Sequence, residues 1–245
     1  MNRELLRRAL AELLGTAFLV AAVVGSGIAA VRLSPDDVGL QLLENSLITG
    51  AVLVALILAL QPVSAAFNPV VTLVERALGA ISTGTAAVLI LAQVVGGALG
   101  AVLANLMFDL PAVSVSTSAR AGGGVWLAEV VATVGLLVVI FGTVRSGRGD
   151  RVAIAVGGYI TAAYWFTSST SFANPAVTIA RMLSDTFAGI APSSVPLFVS
   201  MQLVGGLVGL GLIRLLYPDA PGLAGEVASD SPVESPRWLR SPTAP

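Results

Sequence analysis

The sequence predicts an all-α membrane protein: six transmembrane helices and two re-entrant half-helices, related to one another as an inverted repeat. Three observations carry that prediction. The chain has 245 residues, 56% hydrophobic and only 11% charged, where ordinary soluble domains carry about 25% charged residues. Its apolar residues gather into long runs with few charges. It also repeats itself, with three motifs recurring in the same order.

A bilayer core of about 30 Å needs about 20 apolar residues for each helical crossing. Runs of that kind lie at about residues 10–30, 42–60, 85–108, 126–143, 152–167 and 195–217. Arg3, Arg7 and Arg8 precede the first run as in a signal peptide, but the run is too long for one and carries Glu12 inside it. It is read as a retained helix. After Tyr217 the sequence turns polar and proline-punctuated (Pro218, Asp219, Pro221, Glu226, Asp230, Pro232), which predicts a tail with no fixed structure. Residues 1–217 therefore form one membrane domain, with repeats at about 5–108 and 125–217, and residues 218–245 a disordered tail.

The arginines divide unevenly among the loops. Arg3, Arg7, Arg8, Arg76, Arg145, Arg148, Arg151 and Arg214 fall on one side, together with Arg237 and Arg240 of the tail; Arg32, Arg120 and Arg181 fall on the other. The positive-inside rule then puts both termini in the cytoplasm, in agreement with an even number of crossings. The expected location is the inner, cytoplasmic membrane.

The repeat defines the site. Ala11-Glu12-Leu13-Leu14-Gly15-Thr16 recurs as Ala128-Glu129-Val130-Val131-Ala132-Thr133, and Asn68-Pro69-Val70-Val71-Thr72 recurs as Asn174-Pro175-Ala176-Val177-Thr178. Gln93 with Gly96, Gly97 and Gly100 recurs as Gln202 with Gly205, Gly206 and Gly209. Each copy holds three crossings, an odd number, so the second inserts upside down, and such repeats place their shared site near the midplane on interrupted helices. Asn is a favoured N-cap and Pro suits the first helical position. Each Asn-Pro pair thus starts a helix too short to cross. With opposite insertion the two starts meet, and their positive dipole ends and Asn amides converge on one spot. Such a spot favours a neutral polar solute with acceptor oxygens and opposes cations.

Composition excludes much else. The thirteen basic residues are all arginine, and there is no histidine and no cysteine. Imidazole and thiolate metal ligands, His-activated nucleophiles and disulfides are ruled out, and no metal or cofactor is expected. The near-zero net charge argues against nucleic acid as a partner. Glu12 and Glu129, carboxylates inside spans, are pairing or functional groups by default. Their symmetric placement favours a structural task over a proton relay. The glycine motifs point to close helix approach.

With these motifs in view, the sequence resembles the major intrinsic protein family of aquaporins and aquaglyceroporins, over roughly residues 11–216. The resemblance implies a pore in each subunit, a homotetramer in the lipid bilayer, midpore donors at Asn68 and Asn174, and glutamates at Glu12 and Glu129 that brace the re-entrant loops. The chain departs from the family pattern at several points. The first box reads Asn68-Pro69-Val70 where Ala is usual in the third place, and the second reads Asn174-Pro175-Ala176. Ala66 stands where water channels carry His two residues before the first Asn. Val177 replaces the filter arginine that usually follows the second box. Arg181 lies one turn beyond; a solvated or lipid-facing side chain is the expectation for it, with a displaced vestibule charge as the alternative. Counting back from the second Asn assigns two other filter positions to Ala162 and Ser171; on the second crossing the family's filter residue precedes a Gly, and Gly50 points to Thr49, or to Ile48 if the following loop carries no deletion.

A filter of Thr49, Ala162, Ser171 and Val177 is small and neutral. Because pore width and lining groups set selectivity, the expected function is a passive channel for glycerol-sized neutral solutes, undissociated arsenic acids and water, not an enzyme. The Val-for-Arg exchange resembles the bacterial arsenic-resistance branch of aquaglyceroporins. A water-selective channel and an ion-coupled secondary transporter are the alternatives.

Overall fold

The computed structural model describes residues 2–218; the tail predicted beyond Tyr217 lies, apart from Pro218, outside the described residues. Within them the chain forms α1 (Arg3–Leu33), α2 (Val38–Leu60), α3 (Pro69–Ala77), α4 (Thr83–Met107), α5 (Gly123–Arg145), α6 (Val152–Phe166), α7 (Pro175–Arg181) and α8 (Val195–Leu216). Several starts are written in the sequence: Asn2, Asp37 and Ser82 each accept a first-turn N–H, from Leu5, Leu40 and Thr85 at 2.8, 2.9 and 3.1 Å, which satisfies a donor the helix cannot.

Helices α1, α2, α4, α5 and α8 are long and apolar enough to cross a membrane. The sixth crossing, α6, has only 15 residues, roughly 22 Å at 1.5 Å per residue, and is led in by a 3-10 turn at Gly149–Arg151. Large apolar side chains such as Leu14, Phe18, Leu91, Leu127, Ile154 and Leu207 face outward, the surface a lipid-embedded bundle presents.

The two halves are built alike. Helix α1 packs on α4 and α2, while α5 packs on α8 and α6. The halves interlock through the half-helices, since α4 carries α7 and α8 carries α3. Small residues make these contacts possible. A Cβ on Gly96 or Gly100 would fall on the carbonyl oxygen of Leu13 or Ala17 in α1. Gly97 faces the Ala176 carbonyl of α7, and Gly206 faces the Val70 side chain of α3. Val70 is therefore turned toward α8.

The arginines sort by end. At the arginine-rich end Arg214 donates to the Ala77 carbonyl at 2.9 Å, and Gln61 reaches the Gly149 carbonyl at 3.3 Å. At the opposite end Arg32 donates to the Phe108 carbonyl at 2.7 Å, and the 109–122 loop pairs with the segment after α7, Ser116 N–H meeting the Met182 carbonyl at 2.9 Å.

Candidate functional site

The half-helices meet start to start at the centre. Asn68 and Asn174 cap α3 and α7: the Asn68 side-chain oxygen accepts from Val70 N–H at 3.0 Å, and that of Asn174 from Ala176 and Val177 N–H at 3.0 and 3.3 Å. Pro69 and Pro175 occupy the first helical turn. Each Asn amide then reaches across the repeat boundary. Asn68 Nδ2 donates to the Ala173 carbonyl at 2.8 Å, and Asn174 Nδ2 to the Phe67 carbonyl at 2.7 Å. A primary amide has two N–H donors, so each Asn keeps one for the space between.

The residues before the asparagines are held in an unusual shape. Phe67 and Ala173 both have φ of 47°, the left-handed region that costs a non-glycine residue about 1–3 kcal/mol. The buried glutamates compensate. Glu12 accepts from Ala66 N–H at 2.9 Å, Phe67 N–H at 2.7 Å and Ser64 Oγ at 2.6 Å; Glu129 accepts from Phe172 and Ala173 N–H at 3.0 and 2.9 Å. Gln93 and Gln202 complete the pattern, each donating to its glutamate (2.8 and 2.6 Å) and to Thr72 or Thr178 (2.9 and 2.8 Å). Both acids are wholly buried and fully engaged with loop backbone, so neither is placed to shuttle protons.

A cavity of about 760 Å³ runs from Glu4, Arg8 and Asp150 at the arginine-rich end, past both asparagines, to Phe172 and Arg181 at the opposite end. Asn68, Val71 and Glu75 of the first half-helix line it, as do Asn174, Val177 and Arg181 of the second. These are the same steps along both helices. Pro69, Val70, Pro175 and Ala176 are buried and do not line it.

The structure sorts the filter positions counted from sequence. Thr49, Ser171 and Val177 all line the cavity. Ile48 does not and is 45% exposed, so the helix phase selects Thr49. Ala162 needs correcting: it lies on the exposed outer face of α6. The cavity-facing residues of that helix are Val152, Val156, Ile160 and Tyr164, four-residue steps along one face, and Ala162 sits about 200° around from its neighbours in that row. The irregular 167–173 segment breaks the helical phase between α6 and the second box. Tyr164, two residues on, lines the cavity, its hydroxyl 3.1 Å from Thr49 Oγ1.

Arg181 also departs from expectation. It is 2% exposed, lines the cavity, stacks on the Phe172 ring at 3.5 Å, and donates from Nε to the Ala188 carbonyl. Neither solvent nor lipid surrounds it. Arg120, from the 109–122 loop, lies over the same ring at 5.0 Å and donates to the Gly189 carbonyl at 2.9 Å; burial pulls its guanidinium below the ordinary value, and Tyr164 and Glu129 act the other way. The i, i+3, i+7 spacing from Asn174 would have placed Arg181 inside. The same count from Asn68 reaches Glu75, which sequence reasoning passed over.

The Major intrinsic protein family profile matches residues 1–162 and 145–235. The chain belongs to that family. It is 50% identical over 220 residues to "Aquaglyceroporin AqpS" of Rhizobium meliloti (strain 1021), covering 89% of this chain and 94% of that protein. "Aquaporin Z" of Photorhabdus laumondii subsp. laumondii is 30% identical over 235 residues, 88% of this chain and 99% of its own. Among solved structures, the aquaglyceroporin of Plasmodium falciparum superposes with a TM-score of 0.70 at 20% identity, covering 88% of this chain and 98% of that one. At that identity the likeness bears on the fold, and it agrees with the six crossings and two half-helices described above.

Proposed function

We propose that this member of the family is a passive, aquaglyceroporin-type channel that conducts glycerol, undissociated arsenic acids (arsenous acid and methylated arsenicals) and water. Membership of the family makes it a membrane channel for small neutral solutes. The finer reading rests chiefly on one observation: Val177 occupies the first turn of α7 at the cavity wall, where a long cationic side chain would narrow the passage. The relative named as an aquaglyceroporin supports it. Arg181 keeps one fixed positive charge a turn further out, so opposition to cations does not rest on the midplane dipoles alone. The channel acts as a homotetramer, as the family resemblance implies, in the inner membrane with both termini cytoplasmic, an orientation the arginine asymmetry supports.

A water-selective channel is the second reading. It is favoured by Tyr164 and Arg181, both larger than the residues a count from sequence puts in the filter. Stopped-flow measurements on proteoliposomes separate the two. Fast uptake of glycerol and arsenous acid alongside water is the expected result; water flux with both solutes excluded overturns it.

A further inference from the structure

Glu75 is a carboxyl group at a place where folding does not ask for one. It lies in the last turn of α3 (Pro69–Ala77), and a negative charge near a helix C-terminus opposes the helix dipole. Its counterpart in the other half-helix is Arg181, which suits that position, since cations favour helix C-termini. Glu75 is 7% exposed and lines the cavity. Among the described residues no hydrogen bond or ion pair engages its carboxylate. Arg8 of α1 lines the same stretch, and its Nε is buried without a partner. Among the described residues no ion pair closes between Glu75 and Arg8. Glu4 and Asp150 stand in the mouth beyond.

An acid and a guanidinium nitrogen buried without partners are costly unless something polar lies between them. We propose that Glu75 and Arg8 form a second solute station in the arginine-rich half of the pathway, distinct from the midpore and the filter. The carboxylate accepts a hydroxyl of a neutral polyhydroxyl solute while the guanidinium donates to its oxygens. A neutral solute can do both; an anion meets Glu75 and a cation meets Arg8. The inference rests on the channel reading above and adds to it where solutes are selected after the midpore.

Glu75→Leu, Glu75→Gln and Arg8→Met in proteoliposomes, with water, glycerol and arsenous acid as probes, test it. Glu75→Leu is expected to lower glycerol and arsenous acid permeability about tenfold, the scale of one hydrogen bond to a charged group, and water permeability less than about threefold. Glu75→Gln, which keeps an acceptor oxygen, stays close to wild type, and Arg8→Met falls between. An unchanged solute-to-water ratio in Glu75→Leu overturns the station and leaves the channel reading standing. Parallel loss of every flux in both Glu75 variants also overturns it, because that marks a structural role. Wild-type vesicles that pass water but neither solute sink the channel reading, and the station with it.

Discussion

In the proposed channel a single side chain at the start of α7 sets the character of the outer filter. Val177 lines the cavity one turn before Arg181, so Val177→Arg puts two guanidiniums four residues apart on one face, a like-charge pair that destabilises a helix. It also fills the passage. Glycerol uptake is expected to fall at least about tenfold, while water flux falls less; stopped-flow light scattering on the variant reads both, and unchanged glycerol uptake rules Val177 out of the filter. At this scale the sequence was only partly legible. The asparagines, Ser171 and Val177 could be placed at the cavity wall because they lie within three residues of a box position, and Thr49 because Gly50 beside it marks its place. Ala162 could not, because seven irregular residues with left-handed turns at Thr170, Ser171 and Ala173 intervene between the box and α6. Arg181 and Glu75 were readable from helical spacing, but a charge in a hydrophobic protein invites a surface assignment.

Each half-helix is an element that cannot seat itself. A helix of seven or nine residues is too short to be stable alone, and its lead-in segment bends through left-handed residues. Glu129 supplies the acceptor for the Phe172 and Ala173 amides and for Gln202. Glu129→Ala strands these buried donors and is expected to cost about 3–5 kcal/mol, seen as a large drop in the unfolding temperature in detergent. Glu129→Gln keeps one acceptor oxygen and loses less. Both half-helices were foreseeable, because two Asn-Pro starts recur in matching context between long apolar runs, where a lone one reads as an ordinary turn. The brevity of α6 was not: its apolar run reads as one more crossing, and the 3-10 turn at Gly149–Arg151 takes up the residues before it.

Over the whole molecule, the inverted arrangement aims two positive helix ends at the midplane and leaves Arg181 beyond one of them. Their combined field opposes cations along the pathway. Arg181→Leu removes the side-chain share and keeps the dipoles. It is expected to raise the proton leak of vesicles several-fold, with glycerol uptake retained; a pH-sensitive dye trapped inside the vesicles measures it, and a leak equal to wild type assigns cation exclusion to the midplane alone. The repeat and the charge asymmetry made this architecture legible from sequence. The exchange of hydrogen bonds between the halves was not, because it joins residues that no local pattern connects.

That exchange carries a consequence for biosynthesis. Asn68 finds its acceptor at Ala173, 105 residues further along. At about 5–20 residues per second, the ribosome delivers that acceptor on the order of ten seconds after Asn68 itself. Throughout this interval the amino-terminal half sits in the translocon's neighbourhood with an unfinished clasp, and the nascent chain closes only when its later half arrives.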